Sequence, residues 1–188
     1  MALSLIKGQN IPLEPGLEKV IVGLGWDERE DAGEDFDLDA SAFMLKSDQK
    51  VRSDDDFIFF NQLESKCGSV KHMGDNLTGG GAGDSEQIVV DLMKAPADIE
   101  RIVFTVTIYQ SGKRGQNFGM VSNAYIRIVN EKTNEEVARF DLGEDACINT
   151  ALIFGELYRR NNQWKFRALG QGYDFELLQL ARKFGVKV

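Results

Sequence analysis

The chain has 188 residues, a formal net charge of -8, one histidine and two cysteines. That length suits one domain spanning residues 1–188 with a full core, and the acidic balance argues against nucleic-acid binding, which needs clustered Lys and Arg against the phosphates. A single histidine and no cysteine cluster argue against zinc or iron sites and against Ser/His/Asp or Cys/His catalysis.

Residues 1–16 suggest a short strand and a turn closed by Pro12 and Pro15. They lack the basic start and sustained apolar run of a secretory signal, and no stretch reaches the ~20 apolar residues of a membrane span. A cytoplasmic protein with reduced Cys67 and Cys147 and no direct membrane insertion is therefore expected.

Val20–Trp26 predicts a buried strand, and the acidic stretch from Asp27 to Asp35 a loop. From Phe36 to Phe43 the chain alternates, with Phe36, Leu38, Ala40 and Ala42 on one face and Asp37, Asp39 and Ser41 on the other. Same-face neighbours on a strand lie about 6.6 Å apart, so Asp37 and Asp39 repel each other unless a cation is near.

Asp54-Asp55-Asp56 predicts a solvated turn. Phe57–Phe60 predicts an apolar strand ending at Asn61 and Gln62, and Gly68–His72 a turn that leaves His72 on the surface. Further strands are expected over Ile88–Leu92, Ile102–Tyr109, Ala124–Val129 and Val137–Leu142, with a long loop over Ser111–Ser122. Leu152–Tyr158 and Trp164–Leu169 predict a hairpin. The tail is helical by pattern, through Leu177, Leu178, Ala181 and Phe184, and ends at Gly185. Many short strands without alternating helices define a mostly β fold, an antiparallel β-sandwich with few short helices and a C-terminal helix.

Between Gly74 and Glu86 lie five glycines flanked by carboxylates, a composition unsuited to helix or strand. Glycines can turn main-chain carbonyls inward, and oxygen-only donors suit a hard cation such as calcium. The candidate donors in this loop are Asp75, Asn76, Leu77, Gly81, Asp84 and Glu86, and Asp27, Asp37 and Asp39 form a second acidic cluster. An acidic solvated turn is the plain alternative. A phosphate cradle is disfavoured, because Asp84, Ser85 and Glu86 stand where a lysine or a helix start is needed.

Asp35-Phe36-Asp37-Leu38-Asp39 opens like an EF-hand, but Ala40 replaces the turn glycine and Lys46 the closing Glu. Asp37-Leu38-Asp39 also matches the paired nucleophile of a magnesium-dependent phosphoryl-transfer enzyme, a rival reading that expects a parallel α/β sheet.

Several blocks resemble the TerD family. They include Gly23-Leu24-Gly25-Trp26-Asp27, Asp35-Phe36-Asp37-Leu38-Asp39-Ala40-Ser41-Ala42-Phe43 and Gly74-Asp75-Asn76-Leu77-Thr78-Gly79. Gln116–Val121, Ala138–Leu142, Phe154–Arg159, Trp164–Ala168 and Gly170–Tyr173 continue the likeness over nearly the whole chain. The resemblance implies a β-sandwich that binds two neighbouring calcium ions, or one, without catalysis. It implies a bacterial cytoplasmic protein of tellurite and general stress resistance, peripheral to the inner membrane through protein partners that include an integral membrane protein. It also implies that Asp27, Asp37, Asp39, Asp75, Asn76, Asp84 and Glu86 serve the ions, with Asn61 and Gln62 in the matching Phe-Phe-Asn-Gln block. The chain departs from the family at Gly80, Ala82 and Ser85, where acids are usual; fewer carboxylates shift ligation toward carbonyls and water.

Overall fold

The structure, a computed structural model, describes residues 2–27, 36–74, 83–143 and 148–188. Its strands form two six-stranded sheets. The first runs, in spatial order, β1 (Leu3–Leu5), β10 (Glu136–Asp141), β9 (Tyr125–Asn130), β3 (Lys19–Gly25), β7 (Glu86–Asp91) and β6 (Val70–His72). The second runs β2 (Asn10–Pro12), β12 (Gln163–Tyr173), β11 (Ala151–Arg160), β8 (Arg101–Ile108), β4 (Leu38–Leu45) and β5 (Phe57–Ile58). Pairing is antiparallel except where β1 joins β10 in parallel. This is the expected mostly β sandwich.

Period-two alternation puts one face of each sheet into a shared core. Val20, Val22 and Leu24 of β3 join Leu38, Ala40, Ala42 and Met44 of β4 there, with Phe104, Phe154 and Phe166 among the largest members. The hairpin of β11 and β12 turns at Asn161 and Asn162, both with positive φ, 52° and 58°. Asparagine tolerates that conformation, which matches the twist of the flanking strands.

The outer face of the second sheet is covered too. Phe43, Leu45, Phe57, Val103 and Ile153 pack with Leu180, Ala181 and Phe184 of the C-terminal helix, α2 (Leu177–Lys183). A capping box between Glu176 and Gln179 starts α2, and Gly185 at φ +86° ends it. The inward arc is Leu180, Ala181 and Phe184, so Leu178, expected to face inward, is 57% exposed. From Ser41 onward β4 is buried on both faces, because α2 covers the side that the alternation alone leaves to solvent.

Other expectations shift locally. The Phe57–Phe60 strand stops at Ile58, since Phe59 and Gln62 exchange backbone bonds of 3.1 and 2.9 Å across a tight turn. The Ser111–Ser122 loop holds a helical turn, α1 (Ser111–Arg114), and a 3-10 turn at Phe118–Met120. Asp54–Asp56 is a 3-10 turn, but Asp56 is buried rather than solvated, because Arg52 grips its carboxylate at 2.8 Å. His72 is not a surface turn residue. It lies in β6, 2% exposed, because Val70 to His72 pairs with Val90 to Ile88 of β7.

Candidate functional site

Glu86 opens β7 on the same face as Ile88 and Val90, so its carboxylate enters the sandwich interior. Oε2 accepts a 2.8 Å hydrogen bond from the Ala40 amide of β4, in the opposite sheet. β5 pairs with β4 only at Ala42 and Phe43, so the Ala40 amide lies beyond that ladder and needs another acceptor. His72 stands on the same oxygen, with Nε2 at 3.3 Å but not aligned for a hydrogen bond. Its Nδ1 accepts from the Gly74 amide at 3.0 Å, which places the ring proton on Nε2 beside Glu86.

Asp84, two residues earlier, lies on the outer face of the first sheet. Its Oδ1 accepts from Arg127 Nε at 2.7 Å and the Tyr125 hydroxyl at 3.0 Å. Its Oδ2 accepts from Arg127 Nη2 and Gln87 Nε2, both at 3.0 Å. A side chain at Gly23 would collide with this carboxylate, and one at Gly25 with the Tyr125 ring. Arg139 lies over that ring, its guanidinium carbon 3.7 Å from the centroid. Burial, and then the charge of Asp84 beside it, push the Tyr125 hydroxyl up to about 12, and the Asp84 bonds raise Arg127 above the usual arginine range.

Ser85 clasps the end of β3. Its hydroxyl accepts from the Trp26 amide at 3.2 Å and donates to the Trp26 carbonyl at 3.4 Å. Asp27 follows, exposed, its amide bonded to the Ser122 carbonyl at 2.9 Å and its carboxylate accepting from the Asn123 side chain.

Asp37 is exposed and its carbonyl accepts from the Tyr109 amide at 2.8 Å, while Asp39 is half-buried opposite Thr107. The alternation places both on the outer face of the second sheet. Asn61 is exposed in the turn after β5, which runs antiparallel to β4 and so leaves the ladder toward the Asp39 end. Asp75, Asn76, Leu77 and Gly81 lie outside the described residues, as does Cys147.

One end of the sandwich therefore gathers Asp27, Asp37, Asp39, Asp84 and Glu86, but on three different surfaces. Among the described residues, no three His, Cys, Asp or Glu side chains group as a metal site. Asp27, Asp37 and Asp39 offer the oxygen chemistry a hard cation needs. Asp84 does not fit as a ligand: its two oxygens already receive four donors, so an ion there would have to displace Arg127.

Sequence reasoning missed Arg127, Tyr125 and His72. A signal existed for the first two, since Gly23-x-Gly25 pairs in register with Arg127 and Tyr125 of the adjacent strand. Small residues opposite large polar ones mark a place where side chains lie flat across a sheet.

Two stacked six-stranded sheets with acidic residues gathered at one end define a β-sandwich. The chain belongs to the TerD family, for residues 1–184 match the TerD domain. It is 55% identical to general stress protein 16U of Bacillus subtilis (strain 168) over 192 residues, covering 100% of both chains. It is 52% identical to tellurium resistance protein TerD of Serratia marcescens over 189 residues, covering 99% of this chain and 98% of that one. A solved homologue of telluride resistance protein (TerD) from Streptomyces coelicolor A3(2) shares the fold, with a TM-score of 0.71 at 23% identity over 88% of this chain and 96% of that one. Among the described residues, no helix is long and apolar enough to cross a membrane.

Proposed function

We propose that this chain is a calcium-binding, non-catalytic interaction module of a stress-response assembly, working in the cytoplasm and reaching the inner membrane through a protein partner. The observation that supports the reading is the bond that the Ala40 amide donates to Glu86, which ties the strand after the glycine-rich loop to the strand that carries Asp39. The loop is anchored at both ends, by Gly74 on His72 and by Ser85 on Trp26. Between those anchors the sequence carries Asp75, Asn76, Leu77 and Gly81, the proposed loop donors, and Asp27, Asp37, Asp39 and Asn61 complete the proposed set.

Calcium bound there supplies positive charge that cancels carboxylate repulsion, for one ion or two. This chain's residues do the rest. Asp37 and Asp39 present charge from the start of β4, Glu86 fixes the spacing between sheets, and Asp84, held by Arg127, positions the loop exit. The ordered surface then recognises a protein, an integral membrane partner included, without inserting into lipid. β4 runs antiparallel to both of its neighbours, which favours this reading over phosphoryl transfer at Asp37 and Asp39.

Mass action makes the test direct, since a site filled at a hundredfold excess over its dissociation constant stabilises the fold by about 2.7 kcal/mol. Chelator-stripped protein titrated with calcium should give saturable heat near one or two equivalents, and magnesium little. Absence of heat with either ion removes the calcium reading.

A further inference from the structure

We propose that a second site, on the outer face of the second sheet beside α2, binds a small oxyanion of the hydrogen-phosphate type, one that carries its own hydroxyl. A cavity of about 200 Å³ opens there, with Arg101, Arg167, Lys183, Glu156 and Gln171 in its lining. Ligand sites for drug-sized molecules run to roughly 300–1,000 Å³, so this one suits only a few heavy atoms. Three cations face one carboxylate, a local positive excess in a chain of net charge -8.

Glu156 reaches this cavity through a β-bulge. Ile153 pairs with Thr105 but Gly155 with Phe104, so β11 carries an extra residue at that point. Before the bulge Leu152 and Phe154 face the core, and after it Leu157 does, which turns Glu156 outward. A Cβ at Gly155 would meet the Phe166 ring, so glycine is needed where the strand kinks.

Glu156 is 2% exposed. Its Oε2 accepts from Arg101 Nη1 at 3.2 Å. Arg167 Nη1 lies 3.4 Å from Oε1 but out of line, and Oε1 has no hydrogen-bond partner. A buried carboxylate oxygen without a donor is costly. Arg167 stacks over Tyr158 at 4.5 Å and Lys183 over Tyr173 at 5.1 Å, which fixes both cations at the cavity wall.

A ligand that completes this site has oxyanion oxygens for the arginines and lysine, and a hydroxyl to donate to Glu156 Oε1. Hydrogen phosphate has both. Sulfate at neutral pH has no proton to give, so Glu156 sets the selectivity and the cations set the affinity.

The test is calorimetric titration of the chelator-treated full chain with sodium phosphate and, separately, sodium sulfate at pH 7. Chelation keeps the calcium site out of the measurement, so failure here leaves the proposed calcium binding untouched. Saturable phosphate binding at one site is expected, with sulfate at least about tenfold weaker. Arg167→Ala should weaken phosphate about tenfold, the loss of one charge-assisted hydrogen bond. Glu156→Gln should bring the phosphate-to-sulfate ratio close to one. Lys183→Ala, on the exposed side of α2, should weaken phosphate while the melting temperature holds, which keeps the proposal testable if Glu156→Gln folds poorly. A glycerol phosphate arm separates the sources: tighter binding than inorganic phosphate identifies an ester, weaker binding the free ion, and either supports the site. Undetectable phosphate binding, equal binding of sulfate, or unchanged affinity in both Arg167→Ala and Lys183→Ala overturns it.

Discussion

The two sheets cover their outer faces in opposite ways. On the second sheet a helix does it: α2 lays Leu180, Ala181 and Phe184 onto Phe43, Phe57 and Val103. On the first sheet the strands cover themselves near the acidic end. Gly23 and Gly25 clear a floor, and Asp84, Tyr125, Arg127 and Arg139 lie across it as a layer of ion pairs and stacked planes. Dispersion and apolar burial hold the patch under α2, directional bonds among charges the acidic end of the first sheet. The apolar patch under α2 should tolerate changes of charge state, while the polar layer should respond sharply to losing any one member.

Phe43→Ala is expected to have the largest effect. Phe43 is fully buried, 4.6 Å from both Phe57 and Phe184, and its loss leaves a cavity under α2 costing about 3–5 kcal/mol by urea unfolding. Arg127→Ala should follow at about 3 kcal/mol, because it strands the Asp84 carboxylate. Its companion sharpens the contrast: adding Asp84→Leu to Arg127→Met should recover most of that loss, since no charge is then left buried. If the double variant stays as unstable as Arg127→Ala, the polar layer does not act as a charge-paired unit.

Asp39→Ala tests the end of the sandwich rather than either face. It should abolish the calcium-dependent stabilisation of about 2.7 kcal/mol at a hundredfold excess over the dissociation constant. A shift that survives removes Asp39 from the site.

Tyr125 gives the smallest effect and the one with a pH signature. Its hydroxyl sits at about 12 in the folded chain against an ordinary 10. The folded state therefore holds that proton longer than the unfolded state. The associated stability is complete below pH 10 and is lost as pH rises toward 12. Ultraviolet titration should show a tyrosine step near pH 12, and Asp84→Asn should move that step to lower pH.

Much of this was legible in the chain. Alternation in Phe36–Phe43 and the Val- and Ile-rich runs predicted the strands, and Leu180 and Phe184 belong to a tail whose spacing marked a helix. Periodicity reports which side of a strand is apolar, not what later lands on the other side, so the burial of Phe43 and Leu45 on the face opposite Ala42 and Met44 could not be read before α2 was placed. His72 escaped because three residues of β6 carry no periodic signal, and its burial comes from pairing with β7. The acidic residues of the candidate site were legible as a cluster. Their division among an interior tie at Glu86, a neutralised anchor at Asp84 and a charged edge at Asp37 and Asp39 was not, because a two-residue spacing does not reveal that Ser85 turns toward Trp26 and sends Asp84 to the outer face.

The parallel pairing of Leu3 with Ala138, and the antiparallel pairing of Asn10 with Arg167 in the other sheet, have a kinetic meaning. β1 (Leu3–Leu5) and β2 (Asn10–Pro12) must wait for β10 (Glu136–Asp141) and β12 (Gln163–Tyr173) to be made before they find their neighbours. Closing such long loops is slow, since the entropy of bringing distant segments together is spent before any contact rewards it. The N-terminal strands should therefore seat late in folding, after the central ladders of β4, β8 and β11 have formed. Until they do, β10 and β12 are exposed edges, the sites where a newly made chain is most open to pairing with another copy.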